Sequence, residues 1–263
     1  MAIPSLNTIP LQSGIIYGPV SSRRLGVSLG INLLPSGYKL CSFNCIYCQY
    51  GWTIKPTLSL NHQAQDLPRP ADVSAALAAS LQRRAKRKAR LDAITFCGNG
   101  EPTLHPDLAE IVVAAKGLRD QYFPLAKLAI LSNSSTLGRN EVRDALEMLD
   151  LKIMKLDAGT EELIHRLNAP APPFYLGDIV AGLKSLKDVI LQSIFVQGRV
   201  ANTDPDSLEY WLEKVREIRP TLVQIYTLDR PPAESRLWKV NLPTLQWIAR
   251  QVRWRAGVPA EVY

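Results

Sequence analysis

The stretch from Leu40 to Tyr50 constrains this chain most, because it carries Cys41, Cys45 and Cys48. The whole chain has only four cysteines, so most of its thiol chemistry sits on one short loop. Three thiols so placed can converge on one metal centre. An odd number, so close in sequence, makes a poor disulfide framework. A tetrahedral zinc site normally wants a fourth nitrogen or sulfur ligand. No histidine lies inside the loop, and His62, His105 and His165 are far along the chain. A cubane iron–sulfur cluster is normally held by four thiolates. Three would leave one iron open to bind a substrate or cofactor.

The spacing of three residues and then two, with the aromatic Tyr47 just before the last cysteine, resembles the signature of the radical S-adenosylmethionine (SAM) superfamily. The resemblance implies a 4Fe–4S cluster whose open iron chelates the amino and carboxylate groups of SAM. It implies reductive cleavage of SAM to a 5′-deoxyadenosyl radical that abstracts hydrogen from a substrate. The cofactor then carries the hard chemistry, and the protein positions it and excludes water.

Composition sets the compartment and the partners. At 263 residues and 46% hydrophobic, the chain can bury a full core. It shows no apolar run long enough to span a membrane and no secretory signal, so a cytoplasmic location is expected. The net charge of +7 is concentrated in Arg83, Arg84, Lys86, Arg87, Lys88 and Arg90. The rest of the surface is nearly neutral, which argues against a protein built to coat nucleic acid. Cations at the end of a helix are favoured by its dipole, so a solvated helix terminus accounts for the run.

Along the chain, residues 1–26 read as an irregular N-terminal arm, in which Gly18, Pro19 and Gly26 mark turns. Strand-like segments follow at Val27–Leu34, Ala93–Cys97, Lys127–Leu131, Leu151–Leu156, Val189–Val196 and Leu222–Leu228. Helical segments alternate with them near Ala71, at Asp107–Leu118, at Asn140–Leu149, between Thr160 and Lys187, at Pro205–Ile218 and at Pro243–Val252. Six such units predict a parallel α/β sheet with right-handed crossovers. The resemblance implies that the sheet curls into a partial (β/α)6 barrel. One domain is expected, with the barrel over 27–254 and a tail over 255–263. Trp238, Trp247 and Trp254 are expected to pack the core around the last helix, and Cys97 to be a small core residue.

Parallel barrels place their chemistry at the C-terminal ends of strands. After the second strand comes Gly98-Asn99-Gly100-Glu101, which resembles the superfamily's glycine-glycine-glutamate motif with Asn99 in place of the middle glycine. The resemblance implies contact with the amino group of SAM. Ser132 and Asn133 end the third strand and suit either sugar hydroxyls or helix capping. Lys155 and Asp157 end the fourth strand two residues apart, so they share a face. A mutual ion pair, or contact with SAM or substrate, would satisfy both. Arg23 and Arg24 could grip a carboxylate or phosphate. Asp229 and Arg230, before a double proline, are candidates for substrate contact.

Within the superfamily, Tyr17–Gly51, Gly98–Pro106, Lys155–Thr160 and Gln224–Pro232 resemble the branch named for wyosine-tRNA synthesis. Members of that branch carry a second set of N-terminal cysteines, and residues 1–40 of this chain contain none. A tRNA-modifying wyosine-type activity and a glycyl-radical-type protein activase are therefore alternatives. A protein or small-molecule substrate is the favoured reading, and tRNA remains possible. An external one-electron donor of flavodoxin or ferredoxin type is expected. Outside the enzyme class, the alternative is a zinc-stabilised nucleic-acid-binding protein.

Overall fold

The computed structural model describes residues 9–60 and 66–263; the start of the expected arm and His62 lie outside the described residues. The chain runs β1 (Ile16–Ser22), β2 (Gly26–Ile31), α1 (Pro70–Lys86), β3 (Ala93–Phe96), α2 (Leu108–Tyr122), β4 (Lys127–Ser132), α3 (Asn140–Glu147) and β5 (Leu151–Lys155). It continues through α4 (Glu161–Asn168), α5 (Leu176–Ser185), β6 (Val189–Ile194), β7 (Val196–Gly198), α6 (Pro205–Ile218), β8 (Leu222–Tyr226), β9 (Leu237–Lys239), α7 (Leu242–Gln251) and β10 (Ala260–Val262).

The helices start where the sequence offers caps. Thr160 accepts the Leu163 amide at the head of α4, and Asp204 accepts the Ser207 amide at the head of α6, where Pro205 supplies the first turn. Helix α1 ends in Arg83, Arg84 and Lys86. Its last turn feeds the beginning of β3, so the basic run lies at the floor of the sheet, away from the strands' C-terminal ends.

Eight strands form one sheet in the order β1-β2-β3-β4-β5-β6-β8-β10. The six expected strands, β2 to β6 and β8, pair in parallel. Register places Gly30, Thr95, Ala129 and Leu151 in one row, and Lys155, Gln192, Gln224 and Glu261 in another. Residues in register share a face, and these rows point inward. The alternate residues, among them Ile94, Phe96, Leu128, Ile130, Met154 and Leu191, point outward into the hydrophobic layer under the helices.

The sheet curls. Arg24, in the turn between β1 and β2, lies 4.8 Å from the ring of Tyr226 at the end of β8 and 4.8 Å from that of Tyr263 just beyond β10. On a flat sheet, six strand spacings would hold those positions about 30 Å apart.

Four expectations change. Part of the arm is an edge strand, since β1 pairs antiparallel with β2 around an irregularity between Tyr17 and Val20. Part of the tail is the other edge strand, β10, parallel to β8. The fifth strand stops at Ile194, and β7 leaves the sheet to form a small ribbon with β9. The tryptophans are not core: Trp238, Trp247 and Trp254 are 64%, 43% and 82% exposed. The buried stripe of α7 is Leu245, Ile248 and Ala249, at helical spacing, and Trp247 lies off it.

Candidate active site

The cysteine loop is built from tight turns, in which the amide of Cys48 donates to the carbonyl of Cys45 and that of Gly51 to Cys48, each at 3.1 Å. Its outer side is held by distant chain. The Asn44 amide donates to the Asn168 carbonyl at 2.9 Å and the Ile46 amide to Leu167 at 3.0 Å. The Glu234 amide donates to the carbonyl of Ile46 at 2.8 Å. The Glu234 carboxylate is in turn clamped by Arg199 at 2.5 Å and Arg236 at 3.0 Å. These two guanidiniums hold its pKa at about 2.

The three sulfurs share one cation. Lys39 donates to the Gly51 carbonyl at 2.9 Å and stands within electrostatic reach of Cys48, Cys41 and Cys45. Burial works against its charge, and the three sulfurs more than restore it. Burial pushes the Cys41 thiol up to about 12, with Lys39 opposing. Two side-chain amides reach the sulfurs: Asn133 Nδ2 to Cys41 Sγ at 3.6 Å, and Asn168 Nδ2 to Cys45 Sγ at 3.4 Å. Among the described residues, no three His, Cys, Asp or Glu side chains close tightly enough to hold a single ion. A cubane takes each thiolate on a different iron and so tolerates wider spacing. A nearby ammonium and N–H···S donors are what its thiolates need around them, so the donor set fits a cluster.

The glycine turn docks beneath this loop. Leu40 bridges to Gly100; the Leu40 amide donates to the Asn99 carbonyl at 2.9 Å, and the Glu101 amide to the Leu40 carbonyl at 3.1 Å. Gly98 and Gly100 have φ of +156° and +147°. A Cβ at Gly100 would lie 1.7 Å from the Leu40 carbonyl oxygen, and one at Gly98 2.4 Å from Asn32 Oδ1. The glycines are thus required by packing against the loop and the end of β2. Asn99 is fully buried: its side-chain amide donates to the carbonyls of Gln12 and Pro35, and its oxygen accepts the Gln12 amide. It pins the arm, and its polar atoms are directed away from the site. Glu101 is also buried, and its carboxylate accepts Thr103 N, Thr103 Oγ1 and, at 2.6 Å, the Asn133 amide. Burial pushes its carboxyl upward, and these donors work against the rise. Asn133 spends its oxygen on Ser135 N, and Ser132 accepts Ser134 N, so both residues brace the strand ends.

Lys155 and Asp157 pair across 3.2 Å, with Asp157 almost completely buried. Asp157 also accepts Tyr47 Oη, Asn168 Nδ2 at 2.8 Å and the Ile194 amide at 3.0 Å. Lys155 donates to Tyr226 Oη at 2.6 Å and lies 5.0 Å and 4.9 Å from the rings of Tyr47 and Tyr226. Burial works to lower the Lys155 pKa, but Asp157 first and then Tyr226 outweigh it and hold the amine charged. A continuous network therefore runs from Cys45 through Asn168 and Tyr47 to Asp157, Lys155 and Tyr226. Asn168, Lys39 and Tyr226 were not singled out from the sequence. Asn168 precedes Ala169-Pro170 and looks like an ordinary helix end, whereas Lys39 at least adjoins the cysteine loop. The side-chain oxygen of Asn168 is buried with no partner among the described residues.

Arg23 and Asp229 leave the interior and pair with each other at 3.5 Å on the rim, where both are well exposed. Arg230 is exposed beside them. Cys97 departs from the core reading: it shares the inward face with Thr95, is partly accessible, and lies 2.7 Å from Tyr17 Oη. Burial pushes its thiol to about 11.

Residues 36–196 match the Radical SAM superfamily, and the chain belongs to that superfamily. The UPF0026 protein MJ1312 of Methanocaldococcus jannaschii is 33% identical over 225 residues. The alignment covers 84% of this chain and 65% of that protein, so the chain spans just under two thirds of this relative's length. The crystal structure of a radical SAM methyltransferase from Sphaerobacter thermophilus matches with a TM-score of 0.65 at 15% identity, over 90% of this chain and 65% of that one. A structure of TYW1 with a lysine-pyruvate adduct bound gives 0.57 at 16%, over 86% and 72%. At those identities the likeness is one of fold. Enzymes of that superfamily use a 4Fe–4S cluster and SAM and need an external electron donor. No helix among the described residues is long and apolar enough to cross a membrane.

Proposed function

We propose that Cys41, Cys45 and Cys48 hold one 4Fe–4S cluster, and that SAM lies between the Gly98–Glu101 and Asn133 side of the mouth and the Lys155–Asp157 pair. The observation that carries this reading is the shared surroundings of the three sulfurs. One ammonium and two amides, drawn from three separate parts of the chain, are directed at them. When bound, the two cofactors supply a 5′-deoxyadenosyl radical for hydrogen abstraction.

The chain's own residues do the rest. Lys39 offsets the thiolate charge. Glu101 fixes the Asn133 backbone and so the amide that reaches Cys41. Asp157 anchors Tyr47, Asn168 and Lys155 in one buried group, which fixes the floor of the SAM site and excludes water from it. The electron donor is of flavodoxin or ferredoxin type, and the substrate is a protein or a small molecule. Against tRNA as substrate stands the basic run, which lies at the floor of the barrel; phosphates bound there would not present a base to the mouth.

Single replacement of Cys41, Cys45 or Cys48 by Ala, followed by anaerobic reconstitution, tests the assignment. Each variant is expected to lose the cubane's absorbance and its iron and sulfide. A full cluster in any one of them would end the proposal. Cys97→Ala is expected to keep the cluster.

A further inference from the structure

Among the described residues, Arg24 is an interior cation with no carboxylate partner and no part in the enzyme reading. Its guanidinium lies over the rings of Tyr226 and Tyr263, 4.8 Å from each centroid. Its Nε is buried and has no hydrogen-bond partner among the described residues. Burial lowers its pKa, the direction expected of a cation short of a counter-charge. The acids nearby are engaged elsewhere. Asp229 pairs with Arg23 on the rim, Asp157 pairs with Lys155, and Glu261 accepts the Tyr263 hydroxyl. A half-buried charge with an unused in-plane donor is costly to leave unpaired.

We propose that Arg24 anchors a carboxylate of the substrate inside the barrel, beside the rings of Tyr226 and Tyr263. The inference rests on the enzyme reading above and adds the substrate's chemical class. With both rings against the guanidinium, what it has left to satisfy is its planar set of N–H donors, whose geometry matches a planar carboxylate. One unpaired positive charge balances one carboxylate. A phosphate monoester would bring a second negative charge with no partner. The site adjoins the chemistry, because Tyr226, stacked on Arg24, also accepts a hydrogen bond from Lys155. Lys155 in turn pairs with the Asp157 that holds Tyr47 beside the cluster loop.

Arg24 also borders a cavity of about 340 Å³ at the floor, lined by Asp92 and Lys127 among others. That cavity provides the control. The test is anaerobic calorimetry of the reconstituted, SAM-loaded protein with formate, acetate, benzoate, N-acetylglycine and inorganic phosphate as probes. At least one carboxylate is expected to bind saturably. Arg24→Gln is expected to weaken it by at least about tenfold, with Arg24→Lys in between. Lys127→Gln is expected to leave it unchanged, and phosphate to bind more weakly than the carboxylates.

No saturable carboxylate would mean that Arg24 only plugs the barrel edge, and the proposal falls. Binding lost in Lys127→Gln would move the site to the floor cavity and also overturn it. A tenfold loss of SAM affinity in Arg24→Gln would assign the arginine to the cofactor's own carboxylate, with the same result. Cluster content and SAM binding of the unmodified protein, measured in the same preparation, report separately on the enzyme reading.

Discussion

Two ion pairs, one at each end of the barrel, look alike and are built for different ends. At the mouth, Lys155 and Asp157 meet at 3.2 Å among Tyr47, Tyr226 and Asn168. At the floor, Arg119 meets Asp150 at 2.6 Å. The floor pair is closed by backbone: Arg119 also donates to the Ala126 carbonyl at 2.7 Å, and Asp150 accepts the Leu128 amide at 2.7 Å. It staples the end of α2 to the starts of β4 and β5. The mouth pair is closed mainly by side chains, two aromatic hydroxyls and the Asn168 amide, with one backbone amide from Ile194, and its neighbourhood retains an unpartnered side-chain oxygen on Asn168. Both pairs cost desolvation. One spends it on holding chain segments together, the other on holding charge where a ligand can meet it.

Substitution separates the two. The largest effect is expected for Asp157→Asn, which strands the Lys155 ammonium in a buried site. Stability should fall by about 3 to 5 kcal/mol, and SAM cleavage by about a hundredfold per folded molecule, the scale of losing a preorganised charged group. Chemical denaturation and 5′-deoxyadenosine formation are the measurements. Retained cleavage would make the mouth pair a staple like its counterpart.

Asp150→Asn is expected to cost about 1 to 3 kcal/mol, with cluster content and SAM cleavage per folded molecule unchanged. Burial alone would raise the Asp150 carboxyl, but the Leu128 amide and Arg119 outweigh it and hold it below the usual carboxylate range. A carboxyl depressed in the folded state contributes fully above its unfolded pKa, near 4, and loses that contribution as the pH falls below it. The native protein should therefore lose stability on acidification through that window more steeply than Asp150→Asn does; parallel pH profiles would contradict the staple.

The smallest effect belongs to the rim. Asp229→Ala breaks only the exposed pair with Arg23 and should shift the unfolding midpoint by the equivalent of about 0.5 kcal/mol or less. A larger loss would show that the rim carries more of the structure than its exposure suggests.

The six parallel strands were legible because each is buried on both sides and reads as an apolar run. The edge strands were not. In β1, Gly18-Pro19 writes a turn into the middle of a strand, at the irregularity in its pairing. In β10, three residues are too few to show a period. The cysteine loop and the strand-end carboxylates were legible because their residue types are chemically distinctive. Asn168 and Lys39 were not, because an amide or an ammonium acquires its meaning only from the sulfur it faces. Cys97 was misread on composition, although alternation along β3 already places it with Thr95 and opposite Phe96. The tryptophans were misassigned because aromatic bulk was given more weight than the Leu245, Ile248 and Ala249 stripe.

The bond from Asn168 to Cys45 joins residues 123 positions apart, and the clamp by Glu234 on Ile46 reaches further along the chain. Both have a consequence for biosynthesis. The cysteine loop leaves the ribosome long before the residues that give it shape. While the chain is growing, its three thiols are an unshaped and oxidisable segment, with neither the Asn168 side-chain amide nor the Glu234 backbone amide in place. The loop therefore takes its final shape only once β8 and its following loop are complete and the last of these supports has folded against it.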